Sequence, residues 1–360
     1  MADTAVGMAK ETTVKAKIAE RRGGPANILA QAPCRADLAG GTLDLWPLYL
    51  FHPGSVTVNI AVSVLTTCRI TPLPGKEIHL RSLDTGREER FASLDELCGN
   101  KKFQHALAAR LLMYFAPEGG LQIETNSESP AGAGISGSSA LMIATTAALA
   151  HFTGRQMDLE SMRVLAQNVE AQLINVPTGC QDYYPALYGG VSAIHLDPDR
   201  VWREALPVTP EQIEERFLLV YTGKPRQSGI NNWEVFKAHI NGDKKVRRNF
   251  DTISQIARSM HQAVSEADWD EVGELLREEW KARRANAPGI TTSGIDHLVA
   301  VAMRNGGRGA KVCGAGGGGC VLFMAKDGAR DRMATSLREA GAELLPFRVA
   351  HQGLMVEAAG

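Results

Sequence analysis

Apolar residues recur along the chain at two spacings, the alternation typical of strands and the three-to-four spacing typical of helices. In the first half both spacings occur. They predict strands at 55–66, 68–71, 78–82 and 121–125, and helices at 101–115 and from Asp158 to about 173. A strand-like stretch also begins at Ile28. We therefore expect the first half to mix sheet and helix.

The second half contains more helix, interrupted by short apolar strands. The pattern predicts strands at 217–222, 309–313, 320–324 and 346–351, and helices at 229–240, 244–266, 268–286, 293–305 and 328–340. Asp268 and Ser293 in this half, and Asp158 in the first half, have side chains expected at helix N-caps. This order is a β-α-β-β-α-β arrangement with inserted helices.

The apolar pattern lapses at residues 197–209, where prolines and charged residues cluster. Such a lapse predicts a domain boundary. We expect two domains, residues 28–205 and 206–360. Residues 1–27 mix Lys, Glu, Arg and Ala, which predicts a dispensable extension that is mobile or partly helical.

Composition narrows the class of protein. The 360 residues are 44% hydrophobic and 22% charged with a net charge of −1, which is typical of a globular protein and offers no basic field to nucleic acid. The longest apolar run, residues 140–150, is too short for a membrane span, and no signal peptide is predicted. Six cysteines without a CxxC pair favour buried free thiols. We expect a soluble cytoplasmic protein without nucleic-acid or membrane partners.

A glycine-rich stretch precedes a segment of small apolar residues. It reads ESPAGAGISGSSALMIATTAALA, and its notable residues are Pro130, Gly132, Gly134, Gly137, Ser138 and Ser139. Glycines let a backbone turn sharply and approach a ligand, and a helix N-terminus attracts phosphate. The stretch therefore predicts a phosphate-binding loop, although Ser138 stands where the P-loop pattern has lysine. A tight turn before a core helix is the alternative.

Four other polar or glycine-rich features lie among apolar residues. Arg35 is a lone cation that should face a carboxylate or an anionic ligand, with a structural salt bridge as the alternative. Glu170 lies beside the buried stripe of its helix, where a solvated carboxylate is the ordinary interpretation. Asp182, surrounded by Cys, Tyr and Leu, is a candidate for acid–base work. The glycines at 314–319 predict that something approaches their backbone closely.

Three motifs in the same order resemble the signature motifs of the GHMP kinases, the galactokinase–homoserine kinase–mevalonate kinase–phosphomevalonate kinase superfamily. They are APCRADLAGGTLD from Ala32, PAGAGISGSSAL from Pro130 and KVCGAGGGGC from Lys311. The resemblance implies an α+β fold of two domains. The first would be similar to domain 2 of ribosomal protein S5 and the second ferredoxin-like, with the active site between them.

The resemblance also implies ATP and Mg²⁺ as cofactors and assigns roles to residues. The triphosphate would be cradled by Pro130, Gly132, Ala133, Gly134, Ser136, Gly137, Ser138 and Ser139. Ser138 and Glu170 would be the ligands of Mg²⁺. Asp182 matches the catalytic aspartate that accepts the proton of the substrate hydroxyl. Arg35 matches the basic residue that pairs with this aspartate.

The acceptor implied by the resemblance is a sugar. Arg35 stands where mevalonate kinases have lysine but galactokinases and heptose kinases have arginine. Asp44 falls where galactokinases place a sugar-binding aspartate, and Gly41 and Thr42 stand where galactokinases have glutamate and histidine. All three residues are expected to bind the substrate. AGGTLD, and LLVYTGKPRQS from Leu218, are similar to heptose 7-phosphate kinases and related sugar 1-kinases, and ISGSSA looks like the glucuronokinase form.

Further substrate contacts are predicted outside the first motif. Lys224 and Arg226 could hold a phosphate or carboxylate on the sugar because arginine favours bidentate anion contacts, with a solvated loop as the alternative. Gly316 and Gly317 are expected to bind substrate. Two other functions stay open, a kinase with a mevalonate-like or homoserine-like acceptor and a non-catalytic sugar sensor. The expected assembly is a monomer or a homodimer.

Overall fold

The computed structural model describes residues 27–225 and 230–359, so the predicted extension lies outside the described residues except for Asn27. The strands are β1 (Asn27–Ala39), β2 (Val56–Leu73), β3 (Ile78–Ser82), β4 (Glu88–Phe91), β5 (Gly120–Ser127), β6 (Val191–Leu196), β7 (Val201–Ala205), β8 (Phe217–Tyr221), β9 (Gly307–Val312), β10 (Cys320–Ala325), β11 (Glu343–Leu345) and β12 (Met355–Ala359). The helices are α1 (Leu94–Gly99), α2 (Ala106–Phe115), α3 (Gly137–Thr153), α4 (Leu159–Ile174), α5 (Tyr183–Tyr188), α6 (Pro210–Glu214), α7 (Ile230–Ile240), α8 (Lys244–Ser265), α9 (Trp269–Arg284), α10 (Ser293–Arg304) and α11 (Arg330–Glu339), with a short 3₁₀ turn at Leu48–Phe51.

The first sheet has the order β12-β1-β2-β5-β3-β4, and β6 and β7 extend it from β2. Helix α3 packs against β1 and β2. Its sequence is rich in Ala and Thr and is buried over most of its length, because small side chains let a helix lie close to a sheet. The C-terminal strand β12 pairs antiparallel with β1, so the two ends of the described chain meet in one sheet.

The second sheet has the order β11-β8-β10-β9 with antiparallel pairing throughout. In chain order its strands are thus arranged fourth, first, third and second, which is the ferredoxin-like order. Helices α7, α8, α9 and α10 are inserted between β8 and β9, and α11 connects β10 to β11. The predicted α+β class and the β-α-β-β-α-β arrangement are confirmed.

Several predicted element bounds were wrong. The strands predicted at 55–66 and 68–71 form, except for Ser55, one continuous strand, β2, because the alternation of buried and partly buried residues continues through Thr67. The strand predicted at 346–351 is absent from the described residues, where only Val349 forms an isolated bridge, to Val62. Pro346 cannot donate a ladder hydrogen bond. The N-cap of α10 is Thr292 rather than Ser293, whereas Asp158 and Asp268 cap α4 and α9 as predicted.

The first of the three sequence motifs begins on a strand, and the second and third motifs form loops. Strand β1 carries Arg35 and Asp37, and its pairing with β2 shifts register on both sides of this pair. The glycine-rich loop connects β5 to α3, and the third motif connects β9 to β10. Across the described ranges, no helix is sufficiently long and apolar to cross a membrane.

Candidate active site

A cleft of about 520 Å³ brings the first and second motifs together. Its walls come from the end of β1, the loop between β5 and α3, the start of α3, and the segment before α5. The residues that line it include Arg35, Asp37, Gly41, Thr42, Asp44, Pro130, Gly132, Ala133, Gly134, Ser136, Gly137, Ser138, Ser139, Glu170, Gln181, Asp182, Asn232, Arg283, Gly314 and Ala315. Every residue predicted to cradle the triphosphate lies in this wall.

The loop has the backbone that its glycines make possible. Gly132 and Gly134 have φ of 69° and 78°, and Ser136, the N-cap of α3, has φ of 63°. The first turn of a helix leaves N–H groups without intrahelical partners, and here that turn lines the cleft. The buried Ser136 Oγ has no hydrogen-bond partner among the described residues. The loop therefore offers an anion several donors at one place.

The end of the third motif packs against the backbone of the glycine-rich loop. The Cys320 amide donates to the Ala133 carbonyl at 2.6 Å. A Cβ on Gly319 would lie 2.5 Å from the same carbonyl oxygen, and one on Gly316 would lie 2.5 Å from the Ile290 carbonyl oxygen. The close neighbour that these glycines accommodate is thus the protein's own backbone.

Glu170 is buried, not solvated, with 7% of its surface exposed. It accepts hydrogen bonds from Ser138 Oγ at 2.7 Å, Ser139 Oγ at 2.8 Å and the Tyr183 hydroxyl at 2.6 Å. Burial raises the pKa of Glu170, and the three hydroxyl groups oppose that rise. Sequence analysis missed Tyr183, whose hydroxyl reaches Glu170 from the first turn of α5.

Glu170 and Ser138 fit the predicted Mg²⁺ site in donor type and spacing. Mg²⁺ prefers oxygen ligands, and neighbouring oxygens of its octahedron lie about 2.9 Å apart. The Ser138 hydroxyl and the Glu170 carboxylate oxygen are separated by 2.7 Å and both residues line the cleft. These two residues can therefore hold Mg²⁺ beside the loop.

Arg35 and Asp182 form an ion pair in the cleft. Arg35 Nε and Nη2 lie 2.8 and 2.6 Å from Asp182 Oδ1, and Nη1 donates to the Gly134 carbonyl at 2.9 Å. Burial lowers the pKa of Arg35, but Asp182 and Asp37 raise it above its usual value, so the guanidinium stays charged. Asp182 is 26% exposed and Arg35 only 3%, so the carboxylate is the partner that a ligand can reach.

A buried charge network beneath this pair was missed by sequence analysis. The Lys311 ammonium, which is fully buried, donates to Asp37 and lies 3.8 Å from Glu279 Oε1. Glu279 in turn accepts from Arg283 Nε at 2.8 Å and Nη2 at 2.6 Å. Burial raises the pKa of Asp37, but Lys311 and Arg35 lower it well below its usual range. The available signal was Lys311, a charged residue between Ala310 and Val312 near the end of strand β9.

The cleft wall also contains the predicted sugar-binding residues Gly41, Thr42 and Asp44. Asp44 accepts from the Gln181 amide at 3.0 Å and is 3% exposed. Burial and the nearby Asp182 raise the pKa of Asp44 from 3.8 to about 6. Arg283, another missed residue, donates to the Gly41 carbonyl at 2.7 Å and to Thr42 Oγ1 at 3.1 Å, and this hydroxyl donates to Asn232 Oδ1 at 3.3 Å.

The remaining predicted substrate contacts are not brought into the cleft wall. Gly314 and Ala315 line the cleft, whereas Gly316 and Gly317 do not. Instead, the Gly317 amide donates to the Ile290 carbonyl at 2.8 Å. Lys224 is exposed and lies outside the cleft wall, where its carbonyl accepts from the Gly319 amide at 2.9 Å. Arg226 lies outside the described residues.

Comparisons with known proteins match two segments of the chain to one family. The sequence model described as GHMP kinases N terminal domain matches residues 101–190, and the one described as GHMP kinases C terminal matches residues 260–343. D-glycero-alpha-D-manno-heptose 7-phosphate kinase of Campylobacter jejuni is 24% identical over 334 residues, which cover 91% of this chain and 98% of the relative.

Two other proteins extend the comparison. L-fucokinase/L-fucose-1-P guanylyltransferase of Bacteroides fragilis is 27% identical over 83% of this chain, which spans 35% of that longer protein. The structure of Lactococcus lactis galactokinase complexed with galactose superposes with a TM-score of 0.76 at 20% identity, covering 91% of this chain and 95% of the other. With the three motifs, the two sheets and both sequence models in agreement, the chain belongs to the GHMP kinase superfamily.

Proposed function

We propose that this protein is an ATP-dependent kinase that transfers the γ-phosphoryl group to a sugar hydroxyl, specifically the anomeric hydroxyl of a heptose 7-phosphate, a uronic acid or a related aldose. The observation that carries the proposal is the Arg35–Asp182 ion pair at 2.6 Å, in the same cleft as the glycine-rich loop and Asp44. The sugar-kinase relatives support the choice of acceptor class.

The nucleotide phosphates would lie on the loop of residues 130–139. Two features support this placement: the N-terminus of α3, and the Ser136 hydroxyl in the cleft, which has no hydrogen-bond partner among the described residues. Ser138 and Glu170 would hold Mg²⁺, which supplies the positive charge that the P-loop lysine provides in other kinases. The side chains of Ser139 and Tyr183 orient Glu170 for this role.

Phosphoryl transfer depends on in-line placement and charge neutralisation more than on covalent chemistry. Asp182 would accept a hydrogen bond from the attacking hydroxyl and take its proton as the new bond forms. Arg35 holds Asp182 through two nitrogens and is itself fixed by the Gly134 carbonyl of the loop. The same side chain thus ties the position of the base to the position of the phosphates.

The acceptor would occupy the end of the cleft formed by Asp44, Thr42 and Asn232. The Asp44 carboxylate there would accept hydrogen bonds from sugar hydroxyls. Lys224, Arg226, Gly316 and Gly317 remain proposed substrate contacts. We also retain the proposed domains at 28–205 and 206–360, a cytoplasmic location and a monomeric or homodimeric assembly.

A coupled assay of ADP release across a panel of acceptors tests the proposal. The panel contains aldoses, uronic acids and heptose 7-phosphates, with mevalonate and homoserine to represent non-sugar acceptors. We expect turnover with a sugar and its loss with the matching 1-deoxy sugar, which lacks the anomeric hydroxyl. Turnover with only mevalonate or homoserine would refute the sugar assignment. Binding of ATP and sugar without ADP release would support a sensor instead.

A further inference from the structure

Two histidines and a glutamate meet outside the cleft, where the β6–β7 hairpin packs near α8. His195 lies on β6, Glu204 on β7 and His261 on α8. His195 is directly opposite Trp202 on the paired strand, so His195, Trp202 and Glu204 share one face of the hairpin. None of these residues lines the cleft.

The ligand atoms of the three side chains converge. Both His195 Nε2, at 2.8 Å, and His261 Nε2, at 3.0 Å, approach the same atom, Glu204 Oε2. One nitrogen or oxygen from each side chain lies within 4.8 Å of the other two. Ligand atoms of a tetrahedral zinc site with bonds of about 2.0–2.1 Å are about 3.3 Å apart. Small side-chain shifts would therefore place a cation among all three.

Of the two histidines in this cluster, one meets hydrogen-bond geometry with Glu204 and the other does not. His195 Nε2 has hydrogen-bond geometry toward Glu204. His261 Nε2 is buried and, despite its 3.0 Å approach to Glu204 Oε2, meets no hydrogen-bond geometry with any described residue. His261 Nε2 is thus not occupied by a hydrogen bond from the described residues, as a nitrogen that binds a metal must be.

Neighbouring groups hold the hairpin side of the cluster in place. The Trp202 ring stacks on the His195 imidazole with centroids 4.0 Å apart and planes inclined by 10°. The Trp202 indole donates to Asp197 Oδ2 at 2.8 Å. This support fixes the ring orientation of His195, and fixed ligand orientation strengthens metal binding.

We propose that His195, Glu204 and His261 form a site for a divalent transition-metal cation, with Zn²⁺ as its first candidate and solvent completing the coordination. Two imidazoles and one carboxylate are a donor set that suits Zn²⁺ rather than Mg²⁺, which prefers oxygen alone. The cation would connect α8 to the β6–β7 hairpin. It would stabilise the folded chain because the unfolded chain lacks the assembled site.

Calorimetric titration of the tag-free, EDTA-treated full-length protein with ZnCl₂ tests the site. We expect one Zn²⁺ per chain with a Kd of roughly 1 μM or tighter, and a visible absorption band when Co²⁺ replaces Zn²⁺. His261→Gln and Glu204→Gln should each weaken Zn²⁺ binding roughly 100-fold. His297→Gln, which removes an exposed histidine on α10, should leave the Kd unchanged.

Melting curves without metal identify any variant that fails to fold, and the two ligand variants provide independent tests. Zn²⁺ binding weaker than roughly 0.1 mM in the wild-type protein would overturn the proposal. So would a tight site that persists in both folded ligand variants, because the metal would then bind elsewhere, for example at the His52–His239 pair. Neither result depends on kinase activity.

Discussion

At the residue scale, the Arg35–Asp182 pair determines whether the cleft can catalyse phosphoryl transfer. Asp182→Asn keeps the size of the side chain but removes the proton acceptor and the negative charge that balances the buried guanidinium. We expect turnover to fall roughly 10²-fold or more, the usual range for a positioned acid–base group. Steady-state kinetics with the sugar identified in the acceptor panel measures this effect.

The control for this variant is Asp95→Asn, which removes an exposed carboxylate from the first turn of α1. It should retain wild-type turnover and melting temperature. A folded Asp182→Asn protein with near-normal turnover would contradict the assignment of Asp182.

Asp44 gives a prediction for the pH dependence of stability. Its pKa rises from 3.8 to about 6 on folding, mainly through burial, so the folded protein holds this proton more tightly than the unfolded chain. Ionisation of Asp44 therefore lowers stability as pH rises from about 4 to about 6, and the full penalty applies above that window. The shift corresponds to about 3 kcal/mol, to order of magnitude.

Asp44→Asn removes this penalty while preserving shape, and the buried Gln181 Oε1, which has no partner among the described residues, could accept from the new amide. We expect the variant to be more stable than wild type at pH 8, by up to about 3 kcal/mol, and nearly equal to it at pH 4. Urea denaturation at both pH values measures the difference. An equal stability difference at pH 4 and pH 8 would refute the raised pKa.

The candidate site was only partly predictable from single residues. Arg35 was predictable because a lone cation in an apolar stretch needs a partner, and the motif resemblance pointed to Asp182. Burial of Glu170 was not predictable, since it depends on Tyr183 and two serines that reach it from other elements. Arg283 gave no signal either, because a basic residue near the end of a helix is ordinarily solvated.

At the element scale, the glycines of the third motif control how closely the β9–β10 connection approaches the phosphate loop. Gly319 has φ of 78°, and a Cβ there would lie 2.5 Å from the Ala133 carbonyl oxygen. Gly328 has a similar φ of 69° but nothing within 4 Å of an added Cβ. An alanine would therefore meet similar backbone strain at both positions, but only at Gly319 would its Cβ also collide with a neighbouring backbone atom.

Gly319→Ala should destabilise the protein more than Gly328→Ala and should also raise the KM for ATP, because the alanine would displace the loop that holds the phosphates. Gly328→Ala should cost about 1 kcal/mol, the usual order for a strained left-handed residue, and leave the KM unchanged. Thermal melts and ATP titrations of both variants check this. Equal effects would show that the close contact with Ala133 is unimportant.

Elements with strong periodicity were predictable and those defined by long-range pairing were not. The four inserted helices follow their apolar stripes, and the structure ends each within a few residues of the predicted bound. Strand β7, with the sequence VWREA, was missed because it is short, lacks an apolar–polar alternation and contains no fully buried residue; it forms through pairing with β6. The pairing of β12 with β1 links residues more than 300 positions apart, which no local pattern encodes.

At the scale of the whole molecule, the two sheets are connected by buried charge as well as by apolar packing. Lys311 on β9 of the second sheet contacts Asp37 on β1 of the first, and both side chains are at most 1% exposed. A buried charge that loses its partner is costly, whereas a paired one can contribute little net stability. We therefore expect the network to make the relative placement of the sheets specific, with Asp37 held beside Arg35.

Lys311→Met keeps the apolar stem and removes the ammonium, which leaves Asp37 with longer contacts to Arg35 Nη1 at 3.6 Å and the Gly314 amide at 3.3 Å. We expect a loss of about 3–5 kcal/mol in the free energy of unfolding, measured by urea denaturation. Lys326→Met, at an exposed position just after β10, should change it by less than about 0.5 kcal/mol. Because the penalty comes from the stranded carboxylate, adding Asp37→Asn should restore part of the loss. A double variant no more stable than Lys311→Met would show that the lysine acts through packing alone.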